Sequence, residues 1–151
     1  MGTRHMQTVI DKEGNLKIQQ YGQWDGYPSG QGIDILNYLR RGDLEKYQKN
    51  LSKLKILTEK QLKKISKRPW LVNYPHLNRN CGAKLHKMVE DGEVKSVYHF
   101  DDSDCEGFYT IDFSKNEFTS KFHRIKVTYP LDKLPTDEQY LKDMKQTKKK
   151  I

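Results

Sequence analysis

The sequence predicts a single α+β domain over residues 1–151, with an antiparallel sheet built from an N-terminal and a C-terminal hairpin, basic helices inserted between them and one helix closing the chain. Three observations predict it. Short alternating apolar stretches flanked by turn residues stand near both ends; the region between Ile33 and Leu62 switches to helical spacing; and no internal repeat or composition break divides the chain. With 151 residues, of which 34% are hydrophobic and 32% charged, the core must be economical, yet nine Tyr, five Phe and two Trp give it enough bulk to order the chain.

In chain order, Thr3 to Ile10 and Leu16 to Tyr21 read as two strands joined by a turn at Asp11-Lys12-Glu13-Gly14-Asn15. Ile33, Leu36, Tyr38 and Leu39 mark a first helix that stops at Gly42. Asp43 is placed to cap a second, carrying Leu44, Tyr47, Leu51 and Leu54, and Thr58 with Gln61 makes a capping box for a third that ends before Pro69. Arg68 to Leu77 reads as an aromatic clasp held between prolines, burying Trp70 and Leu71. A short helix from about Cys81 to Glu90, capped by Asn78 or Asn80, leads to a weak strand from Val94 to Phe100. Cys105 to Phe113 alternates well, and Glu117 to about Tyr129 returns beside it, with a bulge or break near His123 where the apolar positions change face. Thr136 and Gln139 open the last helix, whose end from about 145 to 151 is expected to fray.

The densest concentration of special residues is Tyr21-Gly22-Gln23-Trp24-Asp25-Gly26-Tyr27-Pro28-Ser29-Gly30-Gln31-Gly32. Glycine permits close backbone approach or positive φ, Asp-Gly and Tyr-Pro favour turns, and the aromatics add apolar surface with polar handles. Such a loop is either a corner locking two layers or the wall of a site. It also delivers a strand into a helix N-terminus, a place that favours an anion.

Charge is unevenly spread within a net +8: eleven Lys/Arg against three acidic residues lie between Arg40 and Arg68, and nine acidic residues against Lys95 and Lys115 lie between Glu90 and Glu117. A basic side attracts nucleic acid, nucleotides or acidic proteins, and equally describes a solvated helix face. Arg40, Arg41, Lys60, Lys63, Lys64, Lys67 and Arg68 form the candidate basic surface. No apolar run is long enough to span a membrane and none stands at the N-terminus as a secretory signal, so a cytoplasmic protein is expected. Cys81 and Cys105 fit thiols in a reducing compartment, and the cluster His99, Asp101, Asp102, Asp104, Cys105 and Glu106 matches no zinc or calcium pattern; no metal or cofactor is expected. The acid–base set open to an enzyme is Asp25 with His5, Glu106 or His123.

The run Gly2-Thr3-Arg4-His5, followed by Gln20 to Gly32 and, later, Cys105-Glu106 before Tyr109-Thr110-Ile111-Asp112, resembles a family of small uncharacterised phage and prophage proteins. The resemblance implies native Arg4 and His5, a phage accessory role in the infected host cell, and no transferable activity. The hairpin and glycine-rich turn also resemble the start of N-terminal-nucleophile hydrolases, but removal of Met1 exposes Gly2 rather than a nucleophile, and only further trimming would expose Thr3. That analogy reaches the fold alone.

Two classes of function follow. The first is a binding protein, an inhibitor of a host defence system that engages a nucleotide, nucleic acid or acidic protein surface through Arg4, His5, Gln20, Gln23, Trp24, Asp25, Tyr27 and Gln31 together with the lysines. The second is a small hydrolase or transferase using Asp25 as base with Gln23 and Gln31 on substrate; a scaffolding role, with Asp25 capping its own loop, is the remaining alternative.

Overall fold

The computed structural model describes residues 3–65, 81–100 and 105–149. It is α+β. Strands β1 (His5–Ile10), β2 (Leu16–Gly22), β5 (Gly107–Asp112), β6 (Glu117–Phe122) and β7 (Ile125–Pro130) form one sheet in the order β2-β1-β5-β6-β7. Helices α1 (Ile33–Arg41), α2 (Leu44–Leu51), α3 (Glu59–Ile65) and α4 (Lys84–Glu90) lie between its two halves, and α5 (Asp137–Lys149) closes the chain. Strands β3 (Lys55–Ile56) and β4 (Ser96–Val97) make a small parallel pair. The segment predicted as a strand from Val94 to Phe100 contributes only β4.

Two features of the sheet differ from the simple pair of hairpins. The halves join through β1 and β5, which run parallel, His5 opposite Gly107 and Val9 opposite Ile111. The intervening helices supply the crossover that a parallel pair requires. The return strand also divides at His123: its φ of 54° belongs to a tight turn, so Phe122 pairs with Ile125 and a third strand folds back. The change of apolar face there marks a hairpin.

Alternation then sorts the side chains. On one face Val9, Ile18, Ile111 and Phe118 pack with Ile35, Leu36, Leu39, Tyr47, Leu51, Leu85, Val89 and Tyr140 from the helices. On the other, Met6, Leu62 and Phe100 form a smaller cluster with Tyr21, Leu57, Tyr98 and Phe108 around it.

The caps follow the expected chemistry. Lys46 N–H donates to Asp43 Oδ1 at 3.1 Å; Gln61 N–H donates to Thr58 Oγ1 at 3.2 Å while Thr58 N–H donates to Gln61 Oε1 at 2.9 Å. Gln139 N–H donates to Thr136 Oγ1 at 3.1 Å, but its amide turns to Asp143 instead of completing the box. Asp11 folds the first hairpin turn by accepting from Glu13 N and Asn15 N, and Gly14 takes φ 86°. Helix α4 starts at Lys84 after Gly82 at φ 60°. Its proposed caps Asn78 and Asn80, and the aromatic clasp from Arg68 to Leu77, fall outside the described residues.

Candidate functional site

The loop after β2 is held mainly by its backbone. Gly26 N–H donates to Thr3 O at 2.9 Å, Gln31 N–H to Asp25 O at 2.8 Å and Gly30 N–H to Tyr27 O at 3.0 Å, while Tyr109 Oη donates to Gly26 O at 2.5 Å. Pro28–Gly32 winds as one π-helical turn that runs into α1. Because the amides of Gly30, Gln31 and Ile33 are bonded within this turn or to the loop, the start of α1 offers fewer donors to an anion than a bare helix end. Asp25 takes φ 56°, an αL position open to Asp at modest cost.

The glycines explain how the loop sits so low. A methyl group on Gly26 would lie 2.7 Å from Thr3 O and 2.9 Å from Arg4 O, and one on Gly22 would overlap the His5 imidazole. His5 is therefore enclosed completely, its ring edge-on to Tyr109 at 6.2 Å. From it a buried polar chain crosses the helix-facing side of the sheet. Gln7 Nε2 donates to His5 Nε2 at 3.2 Å, His86 Nε2 donates to Gln7 Oε1 at 2.6 Å, and the Tyr47 hydroxyl donates to His86 Nδ1 at 2.8 Å. Both rings are neutral at physiological pH: burial lowers His5 to about 4 against a partial opposing pull from Asp25, and burial, then the nearby His5, lowers His86 to about 3. Two buried atoms, His5 Nδ1 and Gln20 Oε1, have no hydrogen-bond partner among the described residues.

Above this chain the loop's larger side chains point outward. Trp24 is 46% exposed and Tyr27 39% exposed, and Asp25 between them is exposed as well. The Tyr27 hydroxyl donates to Asp25 Oδ1 at 3.0 Å, which raises the phenol's pKa. Asp25 also helps burial to raise the Asp34 carboxyl. No bond from the Asp25 carboxylate to the loop's own backbone N–H groups is seen among the described residues; its main-chain carbonyl does that bracing.

The other candidate residues occupy different surroundings. Arg4 is half-buried, with Nε 3.9 Å from Glu106 Oε1. Gln23 accepts from the Tyr21 hydroxyl at 2.6 Å, and Gln20 is buried, donating to Tyr21 O at 3.3 Å. Gln31 ties the loop to the start of α4, accepting from Ala83 N at 2.8 Å and donating to Trp24 O at 3.5 Å. His5 and Gln20 thus lie beneath the loop, Gln31 braces it, and Trp24, Asp25 and Tyr27 face solvent.

Among the described residues, none of these basic side chains is bonded to the loop. Arg40 is engaged by Asp137 and by Leu36 O, and Lys63 pairs with Glu59 at 3.2 Å on an exposed face. Arg41, Lys60 and Lys64 are exposed; Lys67 and Arg68 lie outside the described residues. Asp101, Asp102 and Asp104 of the acidic cluster also lie outside them, and among the described residues no group of three His, Cys, Asp or Glu is arranged to hold a metal. Cys81 and Cys105 are not joined in a disulfide. Among the described residues, no helix is long and apolar enough to cross a membrane.

On the far side of the same loop, Pro28 and Ser29 form one wall of a cleft of about 440 Å³, completed by Phe122 and Ile125 of the β6–β7 turn and by Leu141, Met144 and Lys145 of α5. Sequence patterning puts Phe122 and Ile125 on opposite faces either side of a break near His123; it does not show that a cleft opens between that turn, the loop and α5. The link between His86, Gln7 and Tyr47 was equally hidden, although His5 and Gln7 at alternate positions of one strand already signal a polar pair on one face.

The chain matches no protein-family model, no curated protein and no solved structure.

Proposed function

We propose that the chain is a phage-type accessory binding protein that inhibits a host system and grips its partner with the Trp24-Asp25-Tyr27 loop. The supporting observation is the contrast between the loop's backbone and its side chains. The loop is fixed by main-chain bonds, by the close approach of its glycines, by Gln31 and by the Tyr109 hydroxyl on Gly26 O, while two large aromatics stand exposed on it. A rigid aromatic pair presented to solvent adds no core burial, but it matches the residue types that carry binding energy in interfaces and loses little conformational entropy on contact.

The phage and host-defence setting rests on the resemblance of the N-terminal motif, and the binding role rests on the loop. A hydrolase centred on Asp25 has less support. Its carboxylate stands in the open, where water is not excluded, and the nearby His5 imidazole is enclosed and held neutral.

The test is restoration of phage plating in bacteria carrying individual defence systems, with wild type compared against a Trp24→Ala, Tyr27→Ala double variant of verified melting temperature. Restoration by wild type and its loss in the folded double variant is expected. Equal restoration by both would remove the loop from the contact. A thermal-shift panel of mononucleotides, single-stranded RNA and duplex DNA then separates partners, because a ligand bound only by the folded state raises its stability.

A further inference from the structure

The cleft behind the loop has a chemistry different from that of the aromatic tip. Its floor is Phe122, Ile125, Leu141 and Met144, with Pro28 on the loop side; Ile125 and Met144 are nearly inaccessible themselves, so the floor is well packed. Ser29 and Lys145 are the polar side chains on its walls. At about 440 Å³ the cleft falls in the size range of ligand sites, roughly 300–1,000 Å³. A nucleotide or sugar, however, would bring many donors and acceptors to a surface that can pair few of them, leaving polar groups desolvated and unpaired. The occupant that fits is apolar.

The wall adds a sign. Lys145, exposed, is the charged side chain that lines the cleft. Asp143 is the one carboxylate between Leu141 and Lys145, and it is turned to the Tyr129 hydroxyl at 2.6 Å and the Gln139 amide at 2.6 Å. Asp25, though on the same loop, is bonded to Tyr27 at the tip rather than lining the cleft. An apolar floor with a lysine on its wall is complementary to an apolar side chain flanked by carboxylates.

From this we infer that the cleft receives a large apolar side chain of an acidic segment of the partner protein. The inference rests on the binding role proposed for the adjacent loop and gives that partner a chemical character: an acidic, apolar segment rather than a phosphate or a nucleobase. Trp24 and Tyr27 then contact the partner on one side of Pro28 and Ser29, while the cleft holds its anchor on the other. An exposed loop wall also explains a vulnerable point. A bulky side chain at position 29 would fill the cleft without entering the core.

The probes are two short peptides, Ac-Glu-Asp-Leu-Phe-Asp-Glu-NH2 and its counterpart with lysine at all four acidic positions, titrated into the full chain carrying methyl-labelled Ile, Leu and Met. The acidic peptide is expected to shift the Ile125, Leu141 and Met144 methyl signals and to bind at least tenfold more tightly than the basic one, more weakly as salt rises. Ser29→Trp, with its melting temperature unchanged, should abolish those shifts, whereas Lys12→Ala, in the exposed β1–β2 turn at the other end of the sheet, should leave them. No shift with the acidic peptide, equal binding of the two peptides, or tighter binding of dodecanoate would overturn the assignment. Because Trp24 lies outside the cleft, failure here leaves the loop to be judged by its own variants, and failure of the Trp24, Tyr27 variants leaves the cleft to be judged by these peptides.

Discussion

The glycine loop and the lysine-rich helices α2 and α3 are both conspicuous in the sequence, but they are built on opposite terms. The loop is fixed by contacts that tolerate no extra atom: Gly26 against Thr3 O and Arg4 O, Gly22 against His5, and the Tyr109 hydroxyl on Gly26 O. Helices α2 and α3 are fixed by one apolar face each, Tyr47 and Leu51 for α2 and Leu62 for α3, plus a cap, and their lysines reach into solvent with at most an exposed ion pair. Conspicuous residues thus have different meanings. In the loop the small residues maintain the fold and the large ones are left over for contact; in the helices the large residues maintain the fold and the charges are left over.

Acid should have the largest effect, because it acts on the buried polar chain that runs from His5 beneath the loop through Gln7 and His86 to Tyr47 of α2. Unfolded histidines take up a proton below about pH 6.5, whereas the native rings resist until about 4 for His5 and about 3 for His86. Stability is therefore full above pH 6.5 and falls as pH drops toward 4, by on the order of 3 kcal/mol for each ring. Urea midpoints between pH 7.5 and 4.5 should show this, and His86→Phe should shallow the slope. An unchanged slope would mean that the ring is not held neutral.

Gly26→Ala comes next. It should cost about 3 kcal/mol, roughly 6–12 °C in melting temperature, since backbone carbonyls rather than flexible side chains oppose the new methyl. A loss below 1 °C would show that the loop can lift away. At the start of α2, Asp43→Ala removes a single cap and should cost about 1 kcal/mol by chemical denaturation.

The leftover residues complete the ordering. The Trp24→Ala, Tyr27→Ala double variant should change stability by no more than about 0.5 kcal/mol per site while affecting partner binding, which sharpens the separation of brace from contact. Replacing Lys60, Lys63 and Lys64 by Glu should likewise move the melting temperature little, because the ion pair seen there among the described residues, Lys63 with Glu59, is exposed. If nucleic acid is the partner instead, that triple variant should weaken binding and flatten its salt dependence; isothermal titration at two salt concentrations would detect it.

Much of the fold was legible because local rules act independently of distance. Asp43 and the Thr58–Gln61 box work within one turn, and the alternation in β1, β2 and β5 sets which residues face the helices wherever those helices come to rest. The same rules announced the loop as structured. They could not say that β1 would pair with β5 in parallel, since that depends on a crossover through many residues, nor that His123 would turn the chain back, since its φ of 54° is a choice between a bulge and a hairpin with the same residues. Fold class, capping and charge distribution were thus determined by short-range sequence chemistry. The enclosure of His5, the chain through Gln7 and His86 to Tyr47, the outward stance of Trp24 and Tyr27, and the cleft against α5 were decided by tertiary structure, because burial is a property of what the rest of the chain brings alongside.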